Sequence, residues 1–187
     1  MKRNLLKMFA PVAALALAGL AGANTAPAGA NADAAIAAQA AHEIRMYSRY
    51  SIWDNVSVRV NEGALELTGQ VNQPYKKQDL QRIVQKVPGV SSVTNQLEVL
   101  PLSPFDDSLR LRVARAVYSD PALSRYGIQA VPPIHIIVRN GHVSLEGVVN
   151  NNVDRMIARS IASNFLSFDL KNELKTTQEA KEELEKL

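Results

Sequence analysis

The chain has 187 residues, with 21 Lys and Arg against 18 Asp and Glu, and no cysteine. The missing thiols exclude a disulfide-stapled scaffold and thiolate metal sites. The net charge of +3 does not argue for a nucleic-acid partner: three basic residues and no acidic one lie in residues 1–32, so the remainder balances 18 against 18 and offers no basic excess.

The first segment has the order of an export leader. Lys2, Arg3 and Lys7 precede an apolar stretch from Phe9 to Leu20, followed by small-residue sites at Ala21-Gly22-Ala23, Ala26-Pro27-Ala28 and Ala30-Asn31-Ala32. The apolar stretch is shorter than the roughly 20 residues a transmembrane helix needs. Residues 1–32 are therefore expected to be a signal peptide cleaved within 23–32. The mature protein would be periplasmic, with no cysteine to carry a lipid.

A helix is expected at about Ala34–Tyr47. Trp53, the only tryptophan, follows in a loop; it is expected to be a partly buried anchor, with a contact at the membrane edge as its functional alternative. Val56, Val58 and Val60 then alternate with polar residues, as do Leu65 and Leu67, which predicts two strands with one buried face each. Glu62-Gly63 between them is a hairpin turn, and Gly69 is expected at the end of the second strand, against a crowded neighbour. Asn72 marks an N-cap region and Pro74 a first helical turn. Leu80, Ile83, Val84 and Val87 keep helical spacing. Pro88-Gly89 stops that helix, and Val93, Leu97 and Val99 belong to a last short strand. Pro101-Leu102-Ser103-Pro104 is read as a linker.

The second half repeats this order. "NEGALELTGQVN" at 61–72 becomes "RNGHVSLEGVVN" at 139–150, and Gly63, Gly69 and Asn72 each recur 78 residues later as Gly141, Gly147 and Asn150. Ser48-Arg49-Tyr50-x-Ile52 recurs 76 residues later as Ser124-Arg125-Tyr126-x-Ile128, and Asn95-x-Leu97 recurs 77 later as Asn172-x-Leu174. Ile134, Ile136 and Val138 alternate, as do Val143 and Leu145, around the Asn140-Gly141 hairpin signal. Ala158, Ile161, Ala162 and Phe165 repeat the helical stripe, and Leu170 and Leu174 the last strand. A period this long is a duplicated domain. The fold class is α+β: two tandem α-β-β-α-β units, each a small three-stranded mixed sheet with helices on one face. The helical crossover requires parallel pairing of the outer strands. The divisions are 33–100, 101–176 and a charged tail at 177–187 that extends or caps a helix. Units of about 70 residues are marginal alone, so they lean on each other or on a partner.

The helix expected at Asp107–Tyr118 carries two apolar stripes. Leu109, Val113, Ala116 and Val117 face the sheet. Leu111, Ala114 and Tyr118 lie on another side, with Arg110, Arg112 and Arg115 beside them. An apolar strip edged by arginine suits the headgroup region of an anionic membrane; packing of this strip between the two units is the competing reading.

The pattern Val58-x-Val60-x-x-Gly63-x-Leu65-x-Leu67-x-Gly69-x-Val71, with Val87-x-Gly89-Val90-x-x-Val93-x-Asn95-x-Leu97 after it, resembles the BON domain of bacterial osmotically inducible and nodulation proteins. Ile136-x-Val138-x-x-Gly141-x-Val143-x-Leu145-x-Gly147-x-Val149 and Asn172-x-Leu174 resemble it again. Phe165-Leu166-Ser167-Phe168 departs from it, lacking the Gly-Val. The resemblance implies a periplasmic, non-enzymatic protein that touches phospholipid or envelope proteins. Its function would be membrane-surface binding in support of envelope integrity, with a protein-binding scaffold as the alternative. The candidate contact residues are Leu111, Arg112, Arg115, Tyr118 and Trp53; Gly63, Gly69, Gly141 and Gly147 are structural.

No catalytic, cofactor-binding or metal-ligating set is read. His42, His135 and His142 lack metal-site spacing. The hairpin register sets His135 opposite Glu146, Arg139 opposite His142 and Arg59 opposite Glu66, as cross-strand pairs on a polar face. The glycine phrases do not open a helix after a strand, so they are not phosphate loops.

Overall fold

The computed structural model describes residues 28–184. The expected leader up to residue 27 lies outside the described residues, and the rest of its cleavage window falls in the start of the first helix. Among the described residues no helix is long and apolar enough to cross a membrane.

The first unit begins with α1 (Ala28–Met46). β1 (Asn55–Asn61) and β2 (Ala64–Val71) form an antiparallel hairpin that sets Val58 opposite Leu67 and Val60 opposite Leu65. α2 (Pro74–Val84) crosses over, and β3 (Ser92–Asn95) and β4 (Glu98–Val99) return parallel to β2. The second unit repeats the plan. It has α3 (Pro104–Ser119), a short α4 (Ser124–Gly127), the hairpin β5 (Ile134–Arg139) and β6 (His142–Val149), α5 (Asn152–Ala162), and β7 (Asp169–Asn172) and β8 (Lys175–Thr176) parallel to β6. The last strand is broken in both copies for one reason. Asn95 donates to Lys77 O at 2.8 Å and accepts from Leu97 N; Asn172 donates to Arg155 O at 3.0 Å and accepts from Leu174 N. Each asparagine thus bends the strand so that the leucine two residues on drops into the core, at 1% and 2% exposure.

Both turns take left-handed backbone: φ is +50° and +77° at Glu62-Gly63, and +51° and +80° at Asn140-Gly141. These are the dihedral signs that let a two-residue turn follow the strand twist. Gly69 and Gly147 lie inside β2 and β6 rather than at their ends. A Cβ would stand 2.1 Å from Asn55 O at Gly69 and 1.9 Å from Pro133 O at Gly147; the partner strand's own backbone fills the space.

Three local expectations shift. The caps fall one residue later than Asn72 and Asn150. Pro74 takes the first helical position, so Gln73 is the N-cap of α2, and Asn151 caps α5 by accepting from Asp154 N at 2.9 Å. The linker ends in a helix start, since Ser103 caps α3 and Pro104 opens it. The tail forms α6 (Thr177–Leu184), held to the second unit by Arg155–Glu179 at 3.0 Å and by Thr177 Oγ1 on Val149 O.

Each unit has its own core between sheet and helices. The loop at 50–54 joins them. Ile52 O accepts from Ile136 N at 2.8 Å, extending the β5 edge; Ile52 and Trp53 pack against the second core; Tyr50 packs at a tilt against His135 with ring centroids 5.5 Å apart. Arg139 reaches Glu98 at 2.6 Å. Marginal units thereby share apolar surface, which is how a small domain gains the burial it lacks alone.

Candidate functional site

The site is the outward side of α3, so the inward side comes first. Leu109, Val113 and Val117, spaced i, i+4, i+8, are fully buried and fix the helix on the sheet. Ala116, expected with them, is half-buried at the rim. Two of the three residues expected on the second stripe also turn inward. Ala114 is 7% exposed, and Tyr118 packs in the core of its own unit with its hydroxyl on Ile134 O. Burial pushes the Tyr118 phenol above its ordinary range. Arg110 is buried as well: its guanidinium donates to Val138 O at 2.7 Å and pairs with Asp107. Tyr118 and Arg110 thus cap carbonyls on the outer edge of β5.

Leu111, Arg112 and Arg115 remain outside. Leu111 is 48% exposed, with Arg115 one turn on and Arg112 beyond it around the same side of the helix. Phe105, also 48% exposed, continues that face one and a half turns earlier, and Leu102 precedes the helix at 87%. Phe105 also meets the hairpin turn. A Cβ on Gly141 would lie 2.8 Å from the Phe168 ring and 3.5 Å from that of Phe105, so both rings lie against the glycine. Phe168 is 82% exposed, and Leu166 beside it 81%. The segment that departs from the family pattern therefore places apolar side chains on the surface, next to the N-terminal end of α3. Sequence reasoning missed Leu102, Phe105, Leu166 and Phe168. The usable signal was that departure: an apolar Phe168 standing where the other copy has Val90, with no glycine before it to form the tight turn.

Trp53 is half-buried against the second core, at the junction between units and away from α3's outward residues in the chain. Gly63 and Gly141 share a device that the sequence reading did not find. Asp33 accepts from Glu62 N at 2.7 Å and Gly63 N at 3.0 Å; Asp106 accepts from Asn140 N and Gly141 N, both at 2.8 Å. Each first helix thus clamps the tip of its own hairpin with one carboxylate.

The cross-strand registers are as expected, with His135 opposite Glu146, Arg139 opposite His142 and Arg59 opposite Glu66. The His135–Glu146 pairing itself is absent. Tyr50 covers His135, which is 8% exposed; its Nδ1 has no partner, and burial lowers its pKa. Glu146 bonds Ser144 instead, and burial raises its pKa. His142 packs at a tilt against Phe168, and Arg139 crosses to Glu98. Among the described residues no group of His, Asp and Glu is placed to hold a metal ion.

The family model described as BON domain matches residues 32–101 and 106–175. The chain is similar to solved structures of CdsD, a structural protein of the type III secretion system of Chlamydia trachomatis. One is 16% identical and covers 79% of this chain and 97% of that one, with a TM-score of 0.26. Its C-terminal domain is 14% identical and covers 71% and 94%, with a TM-score of 0.25. No curated protein matches the chain.

Proposed function

The chain belongs to the BON domain family, in two tandem copies, and on that premise we propose that it is a non-enzymatic protein of the bacterial periplasm that binds the surface of anionic phospholipid membranes. One observation carries the reading: Leu111 is half exposed beside Arg112 and Arg115 on the outward side of α3, while the opposite stripe fills the core. A rigid helix face with an exposed leucine and two arginines to one side of it seats its leucine among acyl chains and its guanidinium groups among phosphates. Phe105 and Phe168 supply apolar area at the end of the same face. Binding of this kind supports envelope integrity by holding a folded module at the bilayer.

The test is co-sedimentation of the purified protein with vesicles of phosphatidylglycerol and of phosphatidylcholine. The expected result is retention on the anionic vesicles, falling as salt rises, and little on the zwitterionic ones. Indifference to both would move the function to the alternative of a protein-binding scaffold.

A further inference from the structure

The two hairpins differ at their outer edges. In the second unit the outward groups of β5 are occupied: Ile136 N–H by Ile52 O, Val138 O by the Arg110 guanidinium and Ile134 O by the Tyr118 hydroxyl. The residue of α1 that corresponds to Arg110 is Ala37, counted from the paired clamps Asp33 and Asp106. An alanine cannot reach the strand, and what remains is a groove of about 810 Å³ along β1, with Ala34, Ala37, Val58 and Val60 in its lining and Lys175 and Glu183 of the second unit at its border. Val58 and Val60, the counterparts of Ile136 and Val138, are only half-buried, whereas those two are fully buried. Among the described residues nothing bonds the outward Val58 N–H or Val60 C=O. An edge strand open in this way is a template for another segment.

The same comparison identifies the segment. Ile52, whose carbonyl extends the β5 edge, corresponds to Ile128 through the Ser-Arg-Tyr-x-Ile repeat. Ile128 is 86% exposed. Among the described residues, the chain thus carries one loop–edge contact satisfied internally, one equivalent loop exposed at Ile128, and one equivalent edge whose Val58 N–H and Val60 C=O have no partner. We propose that these last two meet between molecules: the segment around Ile128 of one copy docks in the β1 groove of a second copy, with Ile128 O accepting from Val58 N–H. This continues the interface between the units into a head-to-tail series. Such a contact is heterologous, so assembly proceeds beyond a dimer, as an open chain or a closed ring. It is weaker than the internal contact, because Gln129 stands where Trp53 anchors the first loop. The proposal is independent of the membrane reading.

Sedimentation velocity over a wide concentration range tests it. Mass should rise with concentration past that of a dimer. Ile128→Asp changes an exposed side chain, and Ala34→Arg places a long cation at the groove mouth from the exposed side of α1. Each should hold the protein at the mass of one chain with an unchanged melting temperature. An equimolar mixture of the two variants should form 1:1 pairs and nothing larger, since each retains one sound surface. A wild type that stays at the mass of one chain, variants that assemble like the wild type, or a mixture that forms no pairs would each overturn the proposal.

Discussion

Two substitutions on α3 separate the apolar and the electrostatic parts of the proposed membrane binding. Leu111 is 48% exposed. Full burial of a leucine side chain is worth about 1.5–3 kcal/mol, so seating the exposed half in lipid contributes about 1 kcal/mol. A basic residue near an anionic leaflet contributes about 1 kcal/mol as well. Leu111→Asp removes the apolar contribution and adds a repelled charge. Arg115→Glu replaces an attraction with a repulsion. Each should weaken binding to phosphatidylglycerol vesicles by about 2 kcal/mol at low salt, about 30-fold in partition constant. Their salt responses differ. Near 1 M salt, where the Debye length is about 3 Å, the deficit of Arg115→Glu should nearly vanish, while about half that of Leu111→Asp persists. Both side chains are exposed, so stability should stay within about 0.5 kcal/mol of wild type. Vesicle co-sedimentation and thermal denaturation on the same preparations give both readouts. Undiminished lipid binding by both variants, with unchanged melting, would refute the placement of the site on α3.

Gly141→Val forces a β-branched residue to φ +80° and sets its Cβ 2.8 Å from the Phe168 ring; a loss of at least about 1 kcal/mol is expected, and an unchanged melting temperature would contradict the turn geometry. Asp106→Ala leaves the Asn140 and Gly141 amides without their acceptor and should cost about 2 kcal/mol by chemical denaturation; an unmoved midpoint would show that the clamp is dispensable. His135 has a lowered folded-state pKa from burial, so below about pH 6.5 the unfolded chain takes up a proton that the folded one refuses. The stability tied to this group is complete above that pH and is lost as pH falls toward the lowered value, with a limiting slope of about 1.4 kcal/mol per pH unit. Glu146, raised by burial, works in the opposite sense, favouring the folded state at acid pH. The difference between wild type and His135→Leu in denaturation from pH 7.5 to 5 isolates the histidine; parallel curves would refute the assignment.

The hairpins were legible because two independent signals coincide at them: alternation with period two and a repeat of constant offset. The hairpin-tip clamps were not. Asp33 and Asp106 are 73 residues apart, whereas the residues after the first helices repeat at 76 to 78. The three extra residues fall around Pro121–Leu123, so matching by offset slides past the carboxylates. The second stripe of α3 was misread for a different reason. Helical spacing says which residues share a side, not how wide the inward arc is. Tyr118 turns in because its hydroxyl can satisfy Ile134 O, and Arg110 because its guanidinium can satisfy Val138 O. His135 was assigned to a solvated face by alternation alone, and the first unit covers that face. Its burial depends on a contact between units, which periodicity within one strand cannot carry. The buried pair Lys76–Asp54, at 2.6 Å, shows the same limit. Lys76 aligns with Asp154, which pairs instead with Arg125 and accepts from the Tyr126 hydroxyl; the copies reverse the charge at one position and each finds its own partner.

Where the two copies differ, the differences act in one direction. The first copy directs its apolar excess, Ile52 and Trp53, into its neighbour. The second copy has Ile128 and Gln129 at those places, and carries Phe168 where the first has Val90. Apolar surface is therefore satisfied inside the chain at one end and exposed at the other. Leu111, Arg112 and Arg115 do not line the β1 groove, so a molecule whose groove holds another copy would still present them to a bilayer. A single half-exposed leucine with two arginines gives a weak contact. Several such faces held in one assembly would act at high effective concentration and bind far more tightly, without any new contact, provided the geometry lets them reach the same surface. Ile128→Asp should then lower membrane retention even though Ile128 lies outside the α3 face. If the assembly holds the α3 faces away from a common plane, the same substitution would leave retention unchanged while still abolishing assembly.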